Sequence, residues 1–264
     1  MADRETTVRD GGTILVEPPS AASERPPATA GRCSSVPGLD RAVEVVTTEL
    51  DATPNTIRAL TQLLSADERR RMSRLAFDSD RRRFAIARGT LRELLAARLG
   101  ADAASITFDY GPRGKPALGA AFADSGVRFN VAHTADVAVF AFADGREVGV
   151  DVEAFRAIPD ADDVAAHFFS EAENAAYRRL AVTERLAGFY NCWTRKEAFI
   201  KAQGDGLHFP LRDFDVSFAP GEDARILRVG TTPGELCGWF MQSFVAAPGV
   251  PGAVVVSTSS RRGE

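Results

Sequence analysis

The stretch EVGVDVEAF (147–155) places two carboxylates inside an apolar run. Valines at every second position predict a β-strand. Successive side chains of a strand point to opposite faces, so Asp151 and Glu153 share one face and the valines share the other. Like charges on one face repel each other, and neither residue type favours strands. We therefore expect a cation opposite the acidic face, although an exposed edge strand would also tolerate such a pair.

The composition of the chain narrows its class. The 264 residues, 45% hydrophobic and 26% charged, are typical of a soluble globular protein of one large or two modest domains. A formal net charge of −4 argues against a general nucleic-acid binder. No apolar run reaches the roughly 18 residues of a membrane span, and MADRETTVRD has no signal-peptide core, so we expect a cytoplasmic protein without membrane contact.

The cysteines support the same compartment. The chain has three, Cys33, Cys192 and Cys237, which are widely separated and form no CxxC motif. Neither a disulfide framework nor a zinc site is indicated, and free thiols in a reducing cytoplasm are expected.

The order of the predicted elements indicates two similar halves. Ser65 with Glu68 and Ser170 with Glu173 form capping-box patterns that begin a short helix in each half. Long helices are predicted over roughly 79–99 and 184–202, followed in each half by short strands. We therefore predict an α+β fold of two pseudo-symmetric lobes with a ligand cleft between them. The expected divisions are a disordered tail at 1–41, lobes at 42–145 and 146–258, and a tail at 259–264.

The second long helix carries the next candidate residues. Within FYNCWTRKEAFIKAQGDGL (189–207), Glu197 and Lys201 are four apart and share a face, an arrangement also typical of a solvated helix surface. Together with Asp151 and Glu153 they provide three carboxylates and a lysine. Carboxylate oxygens on rigid elements suit Mg²⁺, and this combination can perform phosphate chemistry.

Basic residues form the other half of a phosphate site. Residues 69–92 contain nine arginines, of which we expect two or three to touch a ligand. YGPRGKPAL (110–118) adds Arg113 and Lys115 in a Gly/Pro loop, which is often no more than a turn. His133 is expected at a turn between two strands, where a structural role is also common.

Four stretches, taken in chain order, resemble motifs of the Sfp-type 4′-phosphopantetheinyl transferases. RGKPAL (113–118) is similar to that family's Gly-Lys-Pro loop, FNVAHT (129–134) to its Phe-Asn-(Ile/Leu)-Ser-His-Ser, and VGVDVE (148–153) to its Gly-Ile-Asp-Ile-Glu. Residues 189–207 resemble its Trp-x-x-Lys-Glu-(Ser/Ala)-x-x-Lys followed by Gly-x-Gly-Leu. The resemblance spans about 65–218 and implies two pseudo-symmetric α+β halves with coenzyme A and Mg²⁺, or Mn²⁺, between them.

The resemblance also implies roles for individual residues. Asp151 and Glu197 would be metal ligands, with Glu153 ligating directly or through water. Glu197 would also be the general base on a carrier-protein serine, and Lys201 would hold the coenzyme A pyrophosphate and assist the leaving 3′,5′-ADP. The residues implied in binding coenzyme A are Arg81, Arg83, Arg88, Arg113, Lys115, His133, Lys196 and Lys201. The implied enzyme loads an acyl or peptidyl carrier protein. Two similar halves within one chain also favour a monomer.

Two further expectations concern single positions. Ala132 stands where the family usually has serine, so a hydroxyl contact to phosphate is expected to be lost. Phe168 and Phe169 are candidates for carrier docking, with a core position as the alternative. The rival functions are a metal-dependent phosphoester hydrolase and a degenerate coenzyme A-binding module.

Overall fold

The computed structural model describes residues 32–34, 43–111, 114–204, 210–230 and 238–258. The predicted tails lie outside these residues except at strand β1 (Arg32–Ser34), which pairs antiparallel with β2. At these three residues the structure has a strand where a disordered tail was expected, because the edge of β2 offers free backbone groups for pairing.

The first half begins with a strand, continues with three helices and ends with four strands. Its elements are β2 (Val43–Glu49), α1 (Pro54–Leu63), α2 (Ala66–Ser73), α3 (Asp78–Leu99), β3 (Phe108–Tyr110), β4 (Pro116–Leu118), β5 (Val127–Thr134) and β6 (Val137–Asp144).

The second half repeats this order. Its elements are β7 (Val148–Val152), α4 (Ala161–Phe168), α5 (Glu171–Arg179), α6 (Val182–Gln203), β8 (Phe214–Val216), β9 (Ile226–Val229), β10 (Trp239–Ala247) and β11 (Val250–Ser257).

The sheet topology is also repeated. The strand order is β1-β2-β6-β5 in one sheet and β10-β11-β7 in the other, with antiparallel pairing throughout. In each half the first strand pairs with the last and the last pairs with the strand before it. The prediction of an α+β fold with two similar halves is confirmed.

Local signals explain which helices were predictable. Both capping boxes are present, with each serine side chain accepting from the glutamate amide and each glutamate accepting from the serine amide. Both long helices end at a left-handed glycine, Gly100 or Gly204, a conformation that costs glycine little. The described residues of each half form three α-helices rather than the two predicted, since α1 and α4 were missed.

In the part of the chain that the structure describes, one apolar core lies within each half and a third lies between them. The core between the halves contains the alternating valines of β7, Val148, Val150 and Val152, packed with residues of β2, β6 and β11. Cys192 is a free thiol buried in the core of the second half. No helix among the described residues combines the length and the apolar character that crossing a membrane requires.

Candidate active site

The glycine of VGVDVE determines how closely helix α6 lies on strand β7. A β-carbon on Gly149 would lie 2.2 Å from both the carbonyl oxygen of Ala198 and the amide nitrogen of Ala202. No side chain fits there, so the helix packs directly on the strand backbone. Asp151 and Glu153 follow Gly149 on the same face of the strand and are therefore directed toward α6.

Asp151 lies buried at this contact, with 6% of its surface exposed. Its Oδ1 accepts a hydrogen bond of 2.7 Å from Lys201 Nζ, and its Oδ2 is buried without a hydrogen-bond partner. Desolvation raises the pKa of Asp151 to about 7, a rise that the Lys201 ammonium opposes and the charges of Glu197 and Glu153 increase. A buried acid with an unused oxygen is a group that a cation would stabilise.

Glu197 and Glu153 complete the acidic set. Burial raises the pKa of Glu197, Lys201 lowers it and the charge of Glu153 raises it further. A raised pKa makes Glu197 a stronger proton acceptor than an ordinary carboxylate. Glu153 accepts a 3.1 Å hydrogen bond from the Thr134 hydroxyl, which belongs to the other half of the chain. The structure thus brings all three predicted carboxylates and the predicted lysine into one electrostatically coupled group.

These carboxylates do not form a ready-made metal site. Within the described ranges, no three His, Cys, Asp or Glu side chains lie close enough together to hold an ion. At Asp151 the ammonium of Lys201 supplies the positive charge instead. The donor chemistry nevertheless fits Mg²⁺, which usually takes one or two carboxylates and completes its shell with water and substrate phosphates. The unpartnered Oδ2 of Asp151 is the oxygen that best fits this role.

A cleft of about 460 Å³ lies on the first half, beside α3 and β5. It is lined by Arg71, Arg83, Arg88, Tyr110 and His133, among others. His133 is exposed and lies inside β5, one residue before its end, rather than at the expected turn. A concave surface with several guanidinium groups suits phosphate oxygens. All of the residues that line it belong to the first half, so this cleft does not lie between the halves as the sequence analysis expected.

Arg88 is the enclosed arginine of this cleft. Its side chain is 12% exposed, with Nε 3.5 Å from the Glu68 carboxylate and the guanidinium 5.0 Å from the centre of the Phe108 ring. Burial lowers the pKa of Arg88, and its Nη1 is buried with no hydrogen-bond partner. A phosphate oxygen would satisfy that nitrogen, which agrees with the prediction for this residue.

The other predicted arginines of α3 are engaged at the surface. Arg81 donates to the carbonyl oxygen of Leu75 and pairs with Asp78, and it does not line the cleft. Its assignment to coenzyme A binding is not supported by this placement, because the side chain folds back on the start of its own helix. Arg83 lies at the edge of the cleft, where it donates to Asp136 at 2.6 Å.

The Gly/Pro loop approaches α6 from the first half. Lys115 Nζ donates to the carbonyl oxygen of Lys201 at 2.6 Å and to that of Val148 at 3.3 Å, with Glu147 3.6 Å away. Lys115 therefore joins this loop to the end of α6, close to the acidic set. Arg113, predicted beside it, lies outside the described residues.

Lys196 does not reach the site, although it directly precedes Glu197. Its side chain is 1% exposed and its Nζ lies 2.7 Å from the Glu173 carboxylate. The same ammonium donates to the carbonyl oxygens of Leu211 and Phe214. The prediction that Lys196 binds coenzyme A is therefore wrong, because successive residues of a helix point about 100° apart and this one faces the core.

Ala132 also points away from the cleft. It is 5% exposed and belongs to the core between the halves, whereas its neighbours Val131 and His133 line the cleft. A serine side chain at this position would point into that core. This placement does not support the expectation that the alanine removes a hydroxyl contact to phosphate.

The two phenylalanines proposed for docking differ. Phe169 is buried in the core of the second half, so the docking interpretation fails there. Phe168 is half-buried and packs edge-to-face on Trp193, with ring centres 5.5 Å apart. Sequence reasoning also missed Asn130 and Thr134, although both stand in FNVAHT, because their contacts lie on another half of the chain.

The architecture and the site define an α+β protein of two similar halves, with coupled carboxylates on the second half and a basic cleft on the first. Two family models match the chain, "4′-phosphopantetheinyl transferase, N-terminal" over residues 49–144 and "4′-phosphopantetheinyl transferase superfamily" over residues 147–245. The chain belongs to the 4′-phosphopantetheinyl transferase family, and its enzyme class is that of holo-carrier-protein synthases.

Two relatives of similar sequence support this assignment, and one solved structure overlaps part of the chain. The chain is 37% identical over 177 residues to 4′-phosphopantetheinyl transferase HetI of Nostoc sp., covering 67% of this chain and 74% of that one. It is 32% identical over 153 residues to a 4′-phosphopantetheinyl transferase of Bacillus subtilis, covering 58% and 66%. A solved holo-[acyl-carrier-protein] synthase from Thermotoga maritima overlaps 42% of this chain and 62% of its own, with a TM-score of 0.34 and 23% identity.

Proposed function

We propose that this chain transfers the 4′-phosphopantetheine arm of coenzyme A to a serine of an acyl or peptidyl carrier protein and releases 3′,5′-ADP. Family membership supports the transfer reaction. The observation that carries the proposal is the coupled set on β7 and α6, in which Asp151 contacts Lys201 beside Glu197. The set would provide carboxylate ligands for a cation, a proton acceptor and the positive charge of Lys201.

Each residue of the set has a role in the transfer. Asp151, Glu197 and, directly or through water, Glu153 would hold Mg²⁺, with Mn²⁺ as an alternative. When bound, the ion neutralises charge on the pyrophosphate. Glu197 accepts the proton of the carrier serine, whose oxygen then bonds to the β-phosphorus of coenzyme A. As the bond from that phosphorus to 3′,5′-ADP breaks, the Lys201 ammonium stabilises the leaving phosphate.

The cleft of the first half would hold the nucleotide end of coenzyme A. Arg88 and His133 line it and would bind phosphate groups, with Arg83 at its edge. Lys115 and Arg113 of the Gly/Pro loop are proposed to bind phosphate groups as well. We also propose a cytoplasmic monomer that acts without nucleic acid or membrane.

The test is to incubate the chain with coenzyme A, Mg²⁺ and an apo-carrier protein and to weigh the intact carrier. The expected result is a mass gain of one phosphopantetheine arm, which a metal chelator prevents. Release of phosphopantetheine without a carrier would instead indicate a hydrolase. Binding of coenzyme A without any transfer would indicate a binding module. The family matches support neither of these two alternatives.

A further inference from the structure

Thr134 contacts the acidic set from the other half of the chain. Its Oγ1 donates a 3.1 Å hydrogen bond to Glu153 Oε2 and accepts a 3.2 Å hydrogen bond from the amide of Ala154. A hydroxyl has one proton to donate, so the proton of Thr134 is committed to the carboxylate. We infer that Thr134 is a positioning residue that aims Glu153 at the cation site, an inference that rests on the proposed function.

Contacts between β5 and the segment of β7 hold Thr134 in place. Among the described strands, β7 pairs along one edge with β11, and it lies close to β5 without a backbone ladder between the two. Side chains of β5 satisfy the amides there: Asn130 Oδ1 accepts from Val150 at 3.0 Å, and Thr134 accepts from Ala154. The two contacts form a seam between the halves, and Thr134 stands at the end of the seam next to Glu153.

The contact matters because Glu153 is a long, flexible side chain beside a second acid. Three rotatable bonds must be ordered before its carboxylate can ligate, and the charge of Asp151 repels it. The Thr134 hydroxyl holds Oε2 and leaves Oε1 available for a ligand. Residues that orient a metal ligand typically contribute a factor of 10 to 100 in metal affinity.

The same strand end also reaches the nucleotide cleft. His133, the residue before Thr134, lines the cleft, and the two side chains point to opposite faces of β5. The end of β5 therefore positions both His133, which lines the cleft, and Thr134, which holds the Glu153 carboxylate. Movement of this strand end would displace both together.

The test compares Thr134→Val, which keeps the shape but loses the hydroxyl, with Thr134→Ser, which keeps the hydroxyl. Titration calorimetry with Mn²⁺ alone measures the dissociation constant of the free protein, and the Mg²⁺ concentration for half-maximal carrier loading is measured in parallel. We expect Thr134→Val to weaken Mn²⁺ binding by roughly 10-fold or more and Thr134→Ser to restore most of it. Equal Mn²⁺ affinity of Thr134→Val and the natural chain would overturn the inference.

A matched control distinguishes the positioning of Glu153 by Thr134 from a general weakening of the seam between the halves. Asn130→Ala removes the other contact of the seam without touching Glu153, and we expect it to lower the melting temperature while leaving Mn²⁺ affinity unchanged. An equal loss of Mn²⁺ affinity in Asn130→Ala would assign the effect to the seam and overturn the inference.

A double-mutant cycle keeps the test decisive if Asn130→Ala does not fold. In a Glu153→Gln background, Thr134→Val should cause no further loss of Mn²⁺ affinity, since the two residues act as one unit. Additive losses would contradict the inference. A natural chain that loads no carrier would refute the proposed function instead, a result that the loading assay gives independently of the Thr134 variants.

Discussion

The two halves of the chain are built on the same frame but carry different residues on it. Helices α3 and α6 each have 22 residues and follow a short helix with a capping box. In each half the capping-box glutamate is buried and pairs with a cation of the long helix, Glu68 with Arg92 at 2.8 Å and Glu173 with Lys196 at 2.7 Å. These two pairs are equivalent structural links between a short helix and a long one.

The cations of these two pairs also make the same kind of hydrogen bond. Arg92 donates to the carbonyl oxygens of Ala103 and Ile106 in the segment after α3. Lys196 donates in the same way to two carbonyl oxygens in the segment after α6. Both halves therefore use a buried cation to link the short helix to the long one. Lys196 has this structural role, although it stands within residues 189–207, the motif that also contains Glu197 and Lys201.

The halves differ where the first strand meets the long helix. Counted from the capping boxes, Asp151 of β7 matches Val46 of β2, which is buried in the core beneath α3. Gly149 matches Glu44, whose side chain pairs with Arg98 of α3. The second half thus replaces a core valine with an acid and removes a side chain so that α6 can approach. The comparison teaches that a few substitutions on a repeated frame create the site.

The largest effect is expected at Glu197. Counted back from the glycines that end the two long helices, Gly204 and Gly100, its counterpart on α3 is Glu93. Glu197→Gln should reduce the rate of carrier loading by about 10²–10⁴-fold, because the amide cannot accept the serine proton. Glu93→Gln should load carriers at a rate close to that of the natural chain. Both rates are measured by intact-mass analysis of the carrier, and both melting temperatures are recorded. Loading by Glu197→Gln at the natural rate would show that this glutamate is not the base.

The next largest effect tests whether Lys196 belongs to the frame. Lys196→Met leaves the buried Glu173 carboxylate without a partner, which should lower the free energy of unfolding by about 3–5 kcal/mol. Lys196→Arg, which is the solution used by the first half, should retain more of the stability than Lys196→Met. Denaturant unfolding measures both variants.

The Michaelis constant for coenzyme A, measured well below the melting temperature, provides the control for Lys196. It should not change in Lys196→Arg. A stable Lys196→Met variant with weakened coenzyme A binding would return Lys196 to the ligand site and break the equivalence with Arg92.

The sequence was sufficient to predict those parts of the fold that depend on residues close together in the chain. The capping boxes, the terminal glycines and the alternation in VGVDVE are interactions between residues close in the chain, so the long helices and the shared face of Asp151 and Glu153 could be predicted. The acidic set was also predictable, since the motifs that carry it are continuous.

The remaining features depend on contacts between distant segments. Lys196, Ala132 and Thr134 all stand in recognisable motifs, but the side of the helix or strand that faces the core is decided by partners far away in the chain. A motif identifies which residues are present, whereas the packing of the two halves decides which of them reach the ligand.

A smaller effect concerns the acid that replaces the core valine. The pKa of Asp151 in the folded chain, about 7, lies above its ordinary value of 3.8, so between these pH values the folded chain binds more protons than the unfolded chain. The stability of the metal-free protein should therefore fall as pH rises from about 4 to 7, by up to about 4 kcal/mol. Asp151→Asn should remove this dependence and be more stable than the natural chain at pH 8.

Thermal or denaturant unfolding with a chelator at pH 5 and pH 8 measures the Asp151 contribution. Lys201→Met is the informative companion, since removing the ammonium leaves desolvation unopposed and should steepen the fall. If the free energy of unfolding depended equally on pH in Asp151→Asn and the natural chain, burial of this carboxylate would carry no cost. The replacement of the valine in the first half (Val46) by an acid would then not lower stability.

The smallest effect is expected at Ala132, the position at which family members usually carry serine. The side chain faces the core between the halves, between the seam contacts of Asn130 and Thr134, so a serine hydroxyl would meet the second half rather than coenzyme A. Ala132→Ser should therefore change the free energy of unfolding by about 1 kcal/mol or less and leave the Michaelis constant for coenzyme A unchanged. His133→Ala, one residue along and facing the cleft, should raise that constant. Ala132→Ser could instead lower the Michaelis constant for coenzyme A while His133→Ala left it unchanged. That result would mean that the face of β5 carrying Ala132, rather than the face carrying His133, meets the nucleotide.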